Sequence, residues 1–143
     1  MNEIMNLISE VWKINAPATV ATFGLMLYFF GVAIVFITNP VKNAKSFSMQ
    51  PFDNAGITEI RVYYGGISLA LGLFLGYLML VVKNPLASLV GGLFFATTVF
   101  VTRFIFLFVD KGWKCPYTKL AIPAEGAFVI ALWACYIIQH NMY

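Results

Sequence analysis

Four long stretches of mostly apolar residues constrain this chain more than any other feature of its sequence. They cover about residues 18–38, 60–82, 86–109 and 121–138, and proline or charged residues flank the first three. A helix needs about 20 mostly apolar residues to cross the hydrocarbon core of a bilayer, so each stretch is long enough to span a membrane. Only 10% of the 143 residues are charged, whereas about 25% is usual in a soluble domain. We therefore predict an all-α integral membrane four-helix bundle, with residues 1–143 forming a single transmembrane domain.

Residues 1–16 precede the first span and have the pattern of an amphipathic helix. At helical spacing, one face carries apolar side chains and the other carries polar and charged ones. We predict a short helix that lies in the membrane interface or packs against the protein itself. Its apolar face consists of Ile4, Leu7, Ile8, Val11 and Trp12.

The connections between spans differ in length. Residues 39–59 form the longest, and its Asp53-Asn54-Ala55-Gly56 segment is typical of a turn. Thr58 is a candidate N-cap for the second span, which places Glu59 favourably in the first helical turn. Lys83-Asn84-Pro85 predicts a tight turn, so the second and third spans are expected to form an antiparallel hairpin.

The distribution of lysine among the connections predicts the orientation, because cytoplasmic loops are enriched in lysine and arginine. The connections after the first and third spans carry five lysines, and the opposite side carries two. We therefore expect both of these connections in the cytoplasm and both termini outside. The five are Lys42, Lys45, Lys111, Lys114 and Lys119, and the two are Lys13 and Lys83.

Ionisable residues at the span ends are the candidate functional residues, and all lie toward the predicted cytoplasmic side. Charges at bilayer depth are costly to insert and usually face the protein interior, where they find partners. We predict that Arg103 pairs with Glu125, and that Arg61 meets Asp110 or Glu59. Tyr64 is placed to join them. The predicted charge cluster is Glu59, Arg61, Tyr64, Arg103, Asp110 and Glu125.

Small residues recur every three or four positions in the second and third spans, which is typical of surfaces where membrane helices pack closely. Arg61 and Arg103 extend these two stripes, so both arginines are expected to face inward. The stripes consist of Gly65, Ser68, Gly72 and Gly76 in the second span and of Ser88, Gly92 and Ala96 in the third.

The second span begins with the pattern E-x-R-x-x-Y-G-G, formed by Glu59, Arg61 and Tyr64-Gly65-Gly66. With the later Arg103, Asp110 and Glu125, it resembles a family of small four-span bacterial membrane proteins known only as a domain of unknown function. The likeness covers about residues 18–138, and the family's usual Asp-Gly is interrupted here by Lys111. The resemblance implies the four-span architecture and the bacterial inner membrane, and it implies no activity.

The charge cluster has three interpretations. It is an ion-pair clasp that fixes helix register, a site for a polar or anionic small molecule, or an acid–base pair using Glu59 or Glu125. We favour an accessory or scaffolding subunit of a membrane assembly, with a small-molecule carrier or binder at the cytoplasmic mouth as the alternative. The chain has no nucleophile, phosphate-loop or zinc-protease motif, so a membrane-embedded enzyme is the least favoured class.

Other features bear on partners. No run of lysine or arginine suits nucleic acid, and no Cys/His spacing suits a metal. Cys115 and Cys135 are expected to be free thiols, because a helical fourth span would hold them too far apart for a disulfide. The residues identify no cofactor. The expected partners are the lipid bilayer and either other membrane subunits or a second copy of this chain.

Overall fold

The computed structural model describes residues 2–110 and 116–141, and the side chains of residues 15–110 and 117–141. Within these ranges the chain is helical and contains no strand. All helices except α2 contain a stretch long and apolar enough to cross a membrane. The predicted all-α fold is confirmed, and the four apolar helices fit a small polytopic membrane protein. The helices are α1 (Asn2–Thr38), α2 (Pro40–Ser46), α3 (Asn54–Val81), α4 (Pro85–Val109) and α5 (Pro116–His140).

Helix α1 is bent near Asn15, whose φ of −141° and ψ of 48° are not helical. Pro17 accounts for the break, because it has no N–H and its ring clashes with the carbonyl group of an unbroken helix. The predicted N-terminal helix is therefore present and runs directly into the first span. The face that residues 2–14 present lies outside the described side chains. Its place in the membrane interface stays a prediction.

The connection between the first and second spans contains the short helix α2, which was not predicted. Its first residue is Pro40, in the position where a missing N–H costs nothing. The Asn43 side chain then donates to the carbonyl oxygens of Val35 and Asn39, at 2.7 and 2.8 Å. Both carbonyl oxygens also accept a backbone N–H, so these added bonds fasten α2 against the end of α1.

Helix α3 begins earlier than predicted, so both the turn at residues 53–56 and the cap at Thr58 were wrong. Asp53 is the N-cap, and its carboxylate accepts a hydrogen bond from the N–H of Gly56 at 2.8 Å. The Thr58 hydroxyl instead donates to the Asn54 carbonyl group inside the helix, at 3.1 Å. Aspartate caps a helix as well as threonine does. The added residues Asn54-Ala55-Gly56-Ile57 carry a single large apolar side chain, so hydrophobic periodicity did not reveal them.

Two wide π-helical turns interrupt α3, at Arg61–Gly66 and Tyr77–Val81. After the second, Lys83 takes a positive φ of 56° and reverses the chain. The Asn84 side chain then accepts from the N–H of Ala87 at 3.0 Å, which caps α4. The predicted tight turn is therefore present.

The described helices form two compact units. The α4–α5 unit comprises residues 1–23 and 75–143, and the α2–α3 unit comprises residues 24–74. In the α4–α5 unit, the buried Ser88 hydroxyl donates to the Leu75 carbonyl oxygen at 2.9 Å. This bond fastens the end of α3 to the start of α4.

Gln139, near the end of α5, holds the bend in α1 within the α4–α5 unit. Its side chain is fully buried. Its Oε1 accepts from the Ala18 N–H at 3.3 Å, and its Nε2 donates to Asn15 Oδ1 at 3.1 Å. N–H groups that follow a helix break lack carbonyl partners, and Gln139 supplies one. The last turn of α5 therefore stabilises the non-helical backbone at Asn15.

Candidate functional site

Arg103 and Glu125 form an ion pair between α4 and α5. Arg103 Nε donates to Glu125 Oε2 at 2.8 Å, and the two side chains are 32% and 23% exposed. The guanidinium carbon also lies 5.5 Å from the centre of the Tyr117 ring, within the range of a cation–π contact. At Gly126, next to Glu125, a side chain would lie 3.3 Å from the Phe100 ring. Gly126 therefore lets α5 pack closely against the Phe100 ring of α4 beside this pair.

A cavity of about 490 Å³ adjoins this ion pair. Asp110 lies on the same cavity as Arg103, together with three threonines. Because Glu125 already neutralises Arg103, the remaining charge among the lining residues is the Asp110 carboxylate. It is lined by Thr98, Val99, Thr102, Arg103, Phe106, Leu107, Asp110 and Thr118.

Arg61 has a different role, in the α2–α3 unit. Its side chain is exposed, and its Nε donates to the Ile37 carbonyl oxygen at 3.2 Å. Carbonyl groups in the last turn of a helix lack helical partners and attract positive charge, so the guanidinium caps α1. Among the described residues, Arg61 donates its hydrogen bond to the Ile37 carbonyl oxygen and not to the exposed Glu59. The predicted meeting of Arg61 with Asp110 stays a prediction.

Tyr64 and Gly65 fasten α3 to the end of α1 beside this cap. The Tyr64 ring stacks on Phe36 with 5.0 Å between ring centres, and its hydroxyl lies 3.5 Å from the Met49 sulfur. A Cβ at Gly65 would lie 2.7 Å from Cγ1 and 3.3 Å from the backbone nitrogen of Ile37, so only glycine fits. The segment that carries the E-x-R-x-x-Y-G-G pattern therefore packs and caps the end of α1.

The residues of the two predicted small stripes are buried or half-buried. A Cβ at Gly72 would lie 2.8 Å from the Phe30 ring, so α3 and α1 approach closely there as well. The buried members are Gly65, Gly72 and Gly76 in α3 and Ser88 and Gly92 in α4, and the half-buried ones are Ser68 and Ala96. A single cluster that joins both arginines with all three acids stays a prediction.

An exposed row of alanines on α5 was not predicted. The residues are spaced three, four and three positions apart, so they share one helix face, and all are exposed. Leu120 and Ile138, which are 73% and 53% exposed, lie on the same face beyond its two ends. The spacing was visible in the sequence, but burial was needed to show that the row faces outward. We call Ala124, Ala127, Ala131 and Ala134 the alanine face.

A cavity with basic walls, which we call the basic cavity, was also not predicted. It is a wide, open depression with a volume of about 580 Å³, and it lies in the α2–α3 unit where α1 ends. Three of its lining residues are cations, namely Lys42, Lys45 and Arg61. The sequence placed the two lysines near each other, but only the fold brings Arg61 to them.

The described residues contain no group of three or more His, Cys, Asp or Glu side chains that could hold a metal ion. Cys135 is a free, half-buried thiol. Cys115 lies outside the described residues, so its predicted state is not addressed.

Compared with known proteins, the chain matches no family model, no curated protein and no solved structure. Its function must therefore be inferred from its own side chains.

Proposed function

We propose that this chain is an accessory or scaffolding subunit of a membrane assembly, and that it packs against a neighbouring membrane helix through the alanine face. The observation that supports this proposal is the exposure of Ala124, Ala127, Ala131 and Ala134 along one side of α5. Helices in a bilayer gain little from hiding apolar surface, because lipid tails are as apolar as leucine. They associate where small side chains let their backbones approach.

The alanine face differs from the rest of the exposed surface in the size of its side chains. Large side chains dominate elsewhere, as at Phe94 and Ile130, which are 73% and 71% exposed. Such side chains fill space against disordered lipid. A row of four alanines at helical spacing instead leaves a shallow groove that another helix fills by van der Waals contact. Either a different subunit or a second copy of this chain meets that requirement.

Native mass spectrometry of the protein, extracted gently from its own membrane, tests the proposal. We expect a complex of fixed stoichiometry that is lost in the double variant Ala127→Leu/Ala131→Leu, because two leucines would hold the partner's backbone away. Ile130→Leu is the matched control, since it exchanges one large exposed residue for another on the same helix. A monomer for the wild-type chain, or a complex that survives the double variant, would contradict the proposal.

A second candidate function, a small-molecule carrier or binder, is supported by the cavity beside the Arg103–Glu125 pair. Its threonine hydroxyls and the Asp110 carboxylate offer hydrogen bonds to a polar or cationic group. Ethanolamine, acetate and inorganic phosphate are suitable probes of thermal stability in detergent. We expect ethanolamine to raise the melting temperature of the wild type but not that of Asp110→Asn. Glu59→Gln, which changes an acid outside the cavity, should be stabilised as much as the wild type. A response to none of the probes would count against this function.

We further propose that the protein lies in a bacterial inner membrane with both termini outside, and that it belongs to the four-span family that its sequence resembles. The lysine distribution supports the orientation. Single cysteines at positions 42 and 83 in a cysteine-free background test it. An impermeant maleimide added to intact cells should label position 83 and spare position 42, and the reverse pattern would overturn the assignment.

A further inference from the structure

The basic cavity lies where the apolar stretch of α1 ends, at Thr38. Lys42 and Lys45 reach it from α2, and Arg61 reaches it from α3. No acidic side chain is among its lining residues, which are Thr38, Asn39, Pro40, Val41, Lys42, Lys45, Ile57 and Arg61. Three basic residues therefore line one cavity, and its described lining residues include no acid.

The surrounding bonds fix the helix that carries the two lysines and one edge of the Arg61 guanidinium. Asn43 ties α2 to the end of α1, so the lysines are carried on a fixed helix. Arg61 uses Nε to bond the Ile37 carbonyl oxygen, and the described residues offer no acceptor to its two terminal nitrogens. A guanidinium held by one edge presents its other nitrogens as a fork, which matches the oxygens of a phosphate group.

The nearest acids on α3 are directed elsewhere. Asp53 is engaged at the helix start, where its carboxylate accepts the Gly56 N–H. Ile57 and Arg61 line the cavity four residues apart and so share a helix face. Glu59 lies midway between them in the sequence, which turns it toward the opposite face. The positive charge of the cavity is therefore not offset by α3.

We propose that the basic cavity binds the phosphate group of an anionic phospholipid. The end of an apolar span lies at the depth of the lipid headgroups, and basic pockets among membrane helices bind such headgroups. Val41 and Ile57 give the cavity an apolar wall beside its cations, which suits the glycerol and upper acyl region of a lipid. This site is separate from the alanine face and from the cavity beside Arg103, so its test is independent of the proposed function.

The experiment uses the full chain in phosphatidylcholine nanodiscs that contain increasing fractions of phosphatidylglycerol, with bound lipid counted by native mass spectrometry. We expect preferential retention of phosphatidylglycerol. Lys42→Gln/Lys45→Gln should weaken retention about 25-fold, because each basic residue near an anionic lipid surface contributes roughly a fivefold factor. Lys83→Gln, which removes one exposed lysine from the α3–α4 turn, is the control and should change it little.

Three results would overturn the proposal. An equal loss in Lys83→Gln would mean diffuse attraction to the bilayer, and unchanged retention in the double lysine variant would mean that the cavity is not the site. If inorganic phosphate binds to the same lysines while phosphatidylglycerol is retained no better than phosphatidylcholine, the ligand is a free anion and not a lipid. Arg61 is left intact in these variants, because its removal would also uncap α1.

Discussion

Replacing Arg103 by leucine tests the ion pair between α4 and α5 most directly. The substitution keeps much of the side-chain volume and leaves the Glu125 carboxylate, which is 23% exposed, without its partner at 2.8 Å. At an effective dielectric constant of about 20, unit charges roughly 4 Å apart attract by about 4 kcal/mol. Losing one member of a buried pair costs about 3–5 kcal/mol, and partial exposure places this pair at the lower end. We therefore expect Arg103→Leu to lower the free energy of unfolding by about 3 kcal/mol.

A double-mutant cycle isolates the interaction of Arg103 with Glu125. Glu125→Leu should also destabilise, because it leaves the Arg103 guanidinium unpaired. The double variant should lose only about 1 kcal/mol, since it removes both charges and leaves two apolar side chains between the helices. Unfolding in mixed detergent micelles by added dodecyl sulfate, followed by circular dichroism, measures all four proteins. Thr102→Val, at the residue before Arg103 in α4, is the control and should change the free energy of unfolding by less than about 0.5 kcal/mol.

Additive losses of unfolding free energy in the two single variants would refute a coupling between Arg103 and Glu125. If the losses of the two single variants add in the double variant to within about 0.5 kcal/mol, the side chains are energetically independent despite their contact. A stable Arg103→Leu protein would have the same meaning, because Glu125 would then tolerate the loss of its partner. A large coupling energy would establish the pair as a clasp between α4 and α5.

Two further predictions concern packing and the bend in α1. Gly65→Ala should lower the free energy of unfolding by about 1–3 kcal/mol, because the new Cβ would lie 2.7 Å from Ile37. Gly31→Ala is the control in the same micelle titration. It should be neutral or slightly stabilising, because nothing lies within contact distance of a Cβ there. If Gly65→Ala and Gly31→Ala change the free energy of unfolding equally, the packing argument is contradicted. Gln139→Leu should cost about 1–3 kcal/mol, because it leaves the Ala18 N–H buried without a partner. Unchanged amide hydrogen exchange around the bend would show that Gln139 does not stabilise it.

Arg61 illustrates why the partner of a charged residue cannot be found from its own helix alone. Considered against its own helix, a cation near the start of the second span is unfavourably placed and requires an acidic partner. In the structure α3 starts at Asn54, which puts Arg61 seven residues further along, and its Nε reaches the last turn of α1. A cation at that end is favourable. The sequence identified the residue as one that needs a partner, but it did not identify the partner.

The sequence by itself determined the architecture, because that depends on local composition. Uninterrupted apolar length selects helices in a bilayer, where every backbone polar group must be satisfied within its own segment. Proline and asparagine at residues 83–85 likewise set the α3–α4 turn through local backbone preferences. The start of α3 escaped prediction because the turn that Asp53 caps has only one large apolar side chain, too few for apolar periodicity to mark.

Only the tertiary structure decided which side chains meet. The Arg103–Glu125 bond depends on α5 packing beside α4, and the basic cavity depends on α3 bringing Arg61 back to α2. The alanine face is a candidate packing surface because its residues are exposed, and exposure cannot be found from one helix alone. Helical spacing fixes the direction of a side chain relative to its own axis. The neighbour that it finds there is set by helix crossing and rotation, and these arise from packing between segments far apart in the chain.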